Sequence, residues 1–193
     1  MRKLQICLLT AFLGLLTGCA GVVSLHPLAL PNGKGGLFEP PGGETETIFD
    51  PALLGTWEEV NPPLGATRFT VSRAESGYSV VAEGEDLKGT MHVMKVGDRR
   101  LLDVYHPSDG APPPVHIFFK LRLEGDTAWV AEMGSRWLQE QIKTRGELRH
   151  EVLAEDHDRV VLTASPSELR EHLLPYVAQE KSFNEETELR RIK

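Results

Sequence analysis

The chain has 193 residues, with 28 Asp and Glu against 21 Lys and Arg, a formal charge of −7 at pH 7. That length holds one domain plus accessory segments. The acidity argues against a nucleic-acid partner and against adhesion to an anionic surface, both of which need clustered Lys and Arg.

Met1-Arg2-Lys3 opens the chain and an apolar run follows from Leu4 to Leu16. A charged start, about a dozen apolar residues and small residues at the end make a secretory signal peptide over residues 1–18. The run is too short to span a bilayer, which takes roughly 20 apolar residues. Its end, Leu16-Thr17-Gly18-Cys19, resembles the lipobox of bacterial lipoproteins. The resemblance implies cleavage before Cys19 and lipid on that cysteine, palmitate included, with two or more chains anchoring stably. Ala20, where Asp would favour inner-membrane retention, implies the outer membrane, facing the periplasm. Loss of the leader removes Arg2 and Lys3 and takes the charge to about −9. Cys7 leaves with it, so the mature chain has no free thiol for a disulfide, a nucleophile or a metal. No second membrane segment is expected after Cys19.

Residues 19–47 hold His26-Pro27, Pro31-Asn32-Gly33-Lys34-Gly35-Gly36 and Pro40-Pro41-Gly42-Gly43. Such density of Pro and Gly predicts a flexible spacer between anchor and body. Leu28, Leu30, Leu37 and Phe38 are unusual in a spacer, and the alternative is a strap docked on the body.

The body, residues 48–193, opens with Asp50-Pro51-Ala52-Leu53-Leu54, a short helical turn with Pro at its first position. Strands are predicted over about 55–60, 66–74, 77–84, 90–97, 99–106, 115–124, 127–133, 148–154 and 158–164, divided by turn residues. Alternation is strongest at Val115, Ile117, Phe119, Leu121 and Leu123, which predicts a strand with one wet face. Met91, Val93, Met94 and Val96 make their strand apolar on both faces, so a helix or the spacer should cover it outside. A helix is predicted over 135–145 and another over 166–180. Ser165-Pro166-Ser167-Glu168 forms a capping box for the second, and Leu169, Leu173, Tyr176 and Val177 give it an apolar stripe. Pro175 should kink it or restart it near Leu174. Leu189 and Ile192 mark a last short strand. The fold class is mainly β with minor α: an antiparallel meander closing into a barrel or strongly curved sheet, with two packed helices.

The helical turn followed by Gly55-Thr56-Trp57 on the first body strand resembles lipocalins and the wider group of ligand-binding up-and-down barrels. The resemblance implies that Trp57 plugs one end and that a late arginine, Arg190 or Arg191, packs across it. The chain departs from that pattern by placing a helix between its seventh and eighth strands and by lacking cysteines for the usual disulfides.

Chemistry-bearing motifs are few. His26, His92, His106, His116, His150, His157 and His172 are scattered, without the helical spacing of a zinc site. His106 and His116 flank the Pro107–Pro114 loop as a cross-strand pair. With Asp103 or Asp109 they make a conceivable metal site, although outward-facing strand residues are the simpler reading. Ser108-Asp109-Gly110 is loop chemistry rather than a nucleophile elbow. Glu58-Glu59 and Glu185-Glu186 are adjacent in sequence and so point to opposite faces. No cofactor, metal or catalytic residue is expected. What remains is apolar surface: Trp57, Phe69, Tyr78, Phe119 and Trp129 are candidates for ligand lining or core.

Three functions are weighed. The first is a non-enzymatic, membrane-anchored envelope lipoprotein holding a small apolar ligand, such as a lipid or fatty acid, in the barrel. An interior without a cavity above about 300 Å3 counts against it. The second is a filled barrel that presents the Pro107–Pro114 and Asn61–Gly65 loops to an envelope protein. An envelope hydrolase comes third, since no cleft with convergent titratable groups is legible.

Overall fold

The structure, a computed structural model, describes residues 21–29, 45–62, 68–83, 88–107, 114–145, 148–152 and 160–192. The strands are β1 (Val22–Ser24), β2 (Thr45–Ile48), β3 (Gly55–Glu59), β4 (Arg68–Arg73), β5 (Tyr78–Ala82), β6 (Lys88–Val96), β7 (Arg99–His106), β8 (Val115–Glu124), β9 (Thr127–Glu132), β10 (His150–Val152), β11 (Val160–Leu162) and β12 (Thr187–Ile192). The described residues also form two α-helices, α1 (Ser135–Arg145) and α2 (Pro166–Leu173), and three short 3-10 turns.

Alternating sequence and short turns make consecutive strands neighbours. From β3 to β9 each strand pairs antiparallel with the next. The last strand, β12, pairs with both β9 and β3. The result is a closed antiparallel barrel of eight strands, which leaves no exposed sheet edge in the ring.

The expected eighth and ninth strands exist, but outside the ring. They are β10 and β11, three residues each, and β11 runs parallel to β1. Helix α1 carries the chain off the end of β9 and over the outer wall, so β12, a much longer strand, closes the barrel instead. β8 makes the branch: β9 pairs with its second half and β1 with its start, at Ser24↔His116.

Two apolar cores share one wall. The inner core fills the barrel and includes Trp57, Phe69, Val80, Met91, Val93, Leu102, Phe119 and Val130. The outer core lies between the barrel wall and α1, α2, β1 and β11. Met94, Leu101 and Phe118 supply the wall, and Val22, Leu28, Leu138, Val160, Leu169 and Leu173 cover it. The double apolar character of β6 is thereby explained: Met91 and Val93 face in, Met94 faces out, and both helix and N-terminal segment cover it.

This arrangement corrects one expectation and decides between two alternatives. The outer face of β8 is not wet, since Phe118 is fully buried and Lys120 nearly so. Residues 21–29 take the strap alternative rather than the spacer. They form β1 and then a strap in which Leu28 and Ala29 are buried. The outer core needs an apolar cover that α1 and α2 leave incomplete, and Val22 and Leu28 supply it. β2 likewise pairs with β6 from Thr45. Leu30, Leu37 and Phe38 lie outside the described residues.

Helix α2 begins as its capping box dictates. Ser165 Oγ accepts from Glu168 N, and the Glu168 carboxylate accepts from Ser165 N at 2.7 Å. It stops at Leu173, where a 3-10 turn over Leu174–Tyr176 takes over. Pro175, with no N–H to donate, sits inside that turn. Glu168 also receives Arg149 at 2.6 Å.

Candidate functional site

One end of the barrel is shut by side chains. Asp50 caps the 3-10 turn Pro51–Leu53, whose Leu53 is buried against Trp57 in the inner core. The Trp57 indole N–H donates to Leu53 O at 2.9 Å. The Arg191 guanidinium lies 4.5 Å from the Trp57 ring centroid and donates to Asp126, Leu54 O and Ala52 O. Arg191 is directly opposite Trp57 in the β12–β3 register, while Arg190 points to solvent with its side chain 66% exposed. Gly55 makes this possible: its φ is +127°, and a β-carbon there would lie 3.1 Å from Arg191 Nη1.

Behind the plug lies a cavity of about 80 Å3. Its lining is wholly apolar and comes from all eight strands of the ring together with Leu53. Three of the expected residues contribute: Trp57, Phe69 and Phe119. Val71, Val80, Met91, Leu102, Val104, Leu121, Ala128, Val130 and Leu189 complete the wall. These are the alternate apolar positions of each strand, so period-two reading was the signal that would have found them.

Two expected residues do not line the cavity. Tyr78 is fully buried in the inner core, but its hydroxyl donates to Asp50 O and its ring stacks on Phe49 at 5.0 Å. It therefore anchors the plug. Burial pushes the Tyr78 hydroxyl pKa up. Trp129 sits on the outer wall, where the Arg122 guanidinium stacks 3.5 Å from its ring centroid. The inward positions of β9 are Ala128 and Val130, and one residue of phase turns Trp129 to the other face.

The histidine expectation also resolves by phase. His106 pairs with Val115, and His116 pairs with Tyr105, so His106 and His116 lie on opposite faces of the wall. His116 Nδ1 is 2.7 Å from Asp103 Oδ1. Asp103 Oδ2 accepts from Leu28 N at 2.7 Å and from Ala29 N at 2.8 Å. The buried carboxylate is thus a clasp that ties the strap to β7. Arg170 of α2 adds a donation to Leu28 O at 3.0 Å. Ser24, opposite His116 on β1, has its hydroxyl donated to His26 O at 2.8 Å. His92, opposite Asp103, has its pKa lowered by burial and by His116, with Asp103 opposing. Among the described residues no group of three metal-ligating side chains converges. Asp109, with Ser108 and Gly110, lies outside them.

A second, polar groove of about 380 Å3 lies between β7, β8 and residues Glu180 and Glu186. Its charges answer one another. Lys120, 8% exposed at the side chain, is held by Glu180 and by Glu186 at 3.1 Å. Burial alone would lower the Lys120 pKa, but the two carboxylates outweigh it and raise it. Arg99 and Arg122 pair with the same two glutamates. The groove fastens the 180–186 segment to the barrel.

Comparison with protein-family models, curated proteins and solved structures found no match to this chain. The class that fold and site define is an eight-stranded antiparallel barrel of lipocalin-like form, plugged at one end by a tryptophan and an arginine.

Proposed function

We propose that the chain is a lipid-anchored envelope protein, attached through Cys19, whose barrel holds a small apolar ligand and does no chemistry on it. The observation that carries the reading is the cavity behind Trp57, lined without a single polar group. An apolar pocket attracts apolar guests, since water there has no hydrogen-bond partner. Its volume limits the guest. About 80 Å3 is roughly half of the ~150 Å3 in which benzene is held in a protein core and far below the ~300 Å3 of an ordinary ligand site. A whole lipid does not fit; the tip of one alkyl chain, or a molecule of a few carbons, does.

Native mass spectrometry of protein beginning at Ala20, which carries no lipid and is purified without detergent, followed by titration with decanoic acid, tests this. A bound small mass and saturable decanoate binding are expected. Ala128→Leu fills the cavity and should abolish both, at a stability cost of about 1–3 kcal/mol. A bare protein mass together with no decanoate binding rejects it.

The same small volume favours a second reading, a filled barrel that serves as a scaffold for an envelope partner. The Pro107–Pro114 and Asn61–Gly65 loops would be its contacts. In vivo crosslinking of a variant lacking residues 108–113 separates the two, because only the scaffold reading predicts loss of crosslinked partner.

A further inference from the structure

We infer that the anchor leaves the body from the side wall of the barrel rather than from a long leash, so that the flank formed by β1, β10, β11 and the start of α1 lies against the bilayer. The inference rests on lipidation at Cys19. Gly21 already belongs to the folded body: it bridges Gly134, and its carbonyl accepts from Val160 N at 3.2 Å. Successive Cα atoms are ~3.8 Å apart, so the lipidated residue lies within about 8 Å of the Gly21 Cα whatever path the chain takes.

The placement of Gly21 selects the face. β9 and β1 follow one another along the same edge of β8, and Gly21 meets Gly134 where β9 hands over. That point is midway along a barrel wall. The wall opposite is β4, four strands from β8 in either direction round the ring. The flank also carries Val152, 45% exposed and one of three exposed large apolar side chains among the described residues. Val152, Val160 and Val22 form one cross-strand row, which puts Val152 about 10 Å from Val22 at ~4.8 Å per strand. Arg136, exposed in the first turn of α1, is two residues beyond Gly134. Val152, at the open edge of a row whose Val160 and Val22 face the outer core, and Arg136 lie beside the exposed Glu151, so it is the short connection to Gly21 that brings this flank to the phospholipid surface.

The mature protein offers no competing thiol once Cys19 is lipidated, so single labels are available. Full-length Val152→Cys, Arg136→Cys and Ser72→Cys proteins, the last on the outer face of β4, are labelled with bimane and reconstituted in vesicles containing doxyl-labelled phosphatidylcholine. Quenching several-fold stronger at 152 and 136 than at 72 is expected. Twenty Gly and Ser residues inserted between Ala20 and Gly21 should level the three. Equal quenching without the insertion, with lipid on Cys19 verified by mass spectrometry, overturns the orientation and leaves the anchor standing. A mass without lipid overturns the anchor and the orientation with it.

Discussion

Arg190 and Arg191 are neighbours of identical chemistry, and only one of them braces the plug. β12 faces the barrel interior at every second residue, and Leu189, which lines the cavity, sets the phase. Arg191 therefore shares the inward face with Leu189, and Arg190 does not. Leu189 was the signal in the sequence that could have chosen between them; without the strand's pairing there was no reason to weigh it. Arg191→Ala removes a cation–π contact worth about 0.5–2 kcal/mol and a donor from the part-buried Leu54 carbonyl, so a loss of about 1–3 kcal/mol is expected. Arg190→Ala should stay within about 0.5 kcal/mol of the parent. Urea denaturation followed by tryptophan fluorescence checks both.

At the scale of elements, the legible ones carried their own local instructions. The α2 start is an example, because a capping box is satisfied within four residues and needs nothing from elsewhere. Its Glu168 carboxylate is held down at about 2 by Arg149, with Ser165 adding to it. A folded pKa below the ordinary 4.5 means stabilisation that is complete above pH 4.5 and is lost as pH falls towards 2. Thermal melts between pH 5 and 2 should therefore show a shallower acid limb in Glu168→Gln than in the parent, with the two converging at the acid end. β8 shows the limit of such reading. Its inward face was plain from Val115 to Leu123, but its outer face mixes His116, Phe118 and Lys120. Polar residues there looked wet; two of them are committed instead, His116 to Asp103 and Lys120 to Glu180 and Glu186.

For the whole molecule, the shared wall of β6, β7 and β8 couples two cores, and the N-terminal strap completes the outer one. A chain beginning at residue 45 keeps all eight barrel strands but uncovers Met94, Leu101 and Phe118, which Val22 and Leu28 cover. It also takes two hydrogen-bond donors from Asp103. Increased binding of the dye ANS and a broadened, less cooperative melt are expected, because the exposed apolar surface and the lost Asp103 clasp both weaken the native packing. A sharp melt with parental dye binding would mean that the barrel stands alone.

The sequence by itself determined what depends on neighbours along the chain: the alternation that makes the strands, the turns that make them consecutive, the box that starts α2, and the Gly-x-Trp that marks the plugged end. Only the tertiary structure decided what depends on partners far away. It closed the ring with β12 instead of β10 or β11, chose the strap over the leash for residues 21–29, and turned Trp129 outward. The reason is that closure, cover and phase are properties of pairing between distant segments. Leu28 hinted at a strap, but nothing along the Pro/Gly-rich stretch names its seat some 75 residues away, where the buried Asp103 carboxylate accepts from its backbone N–H.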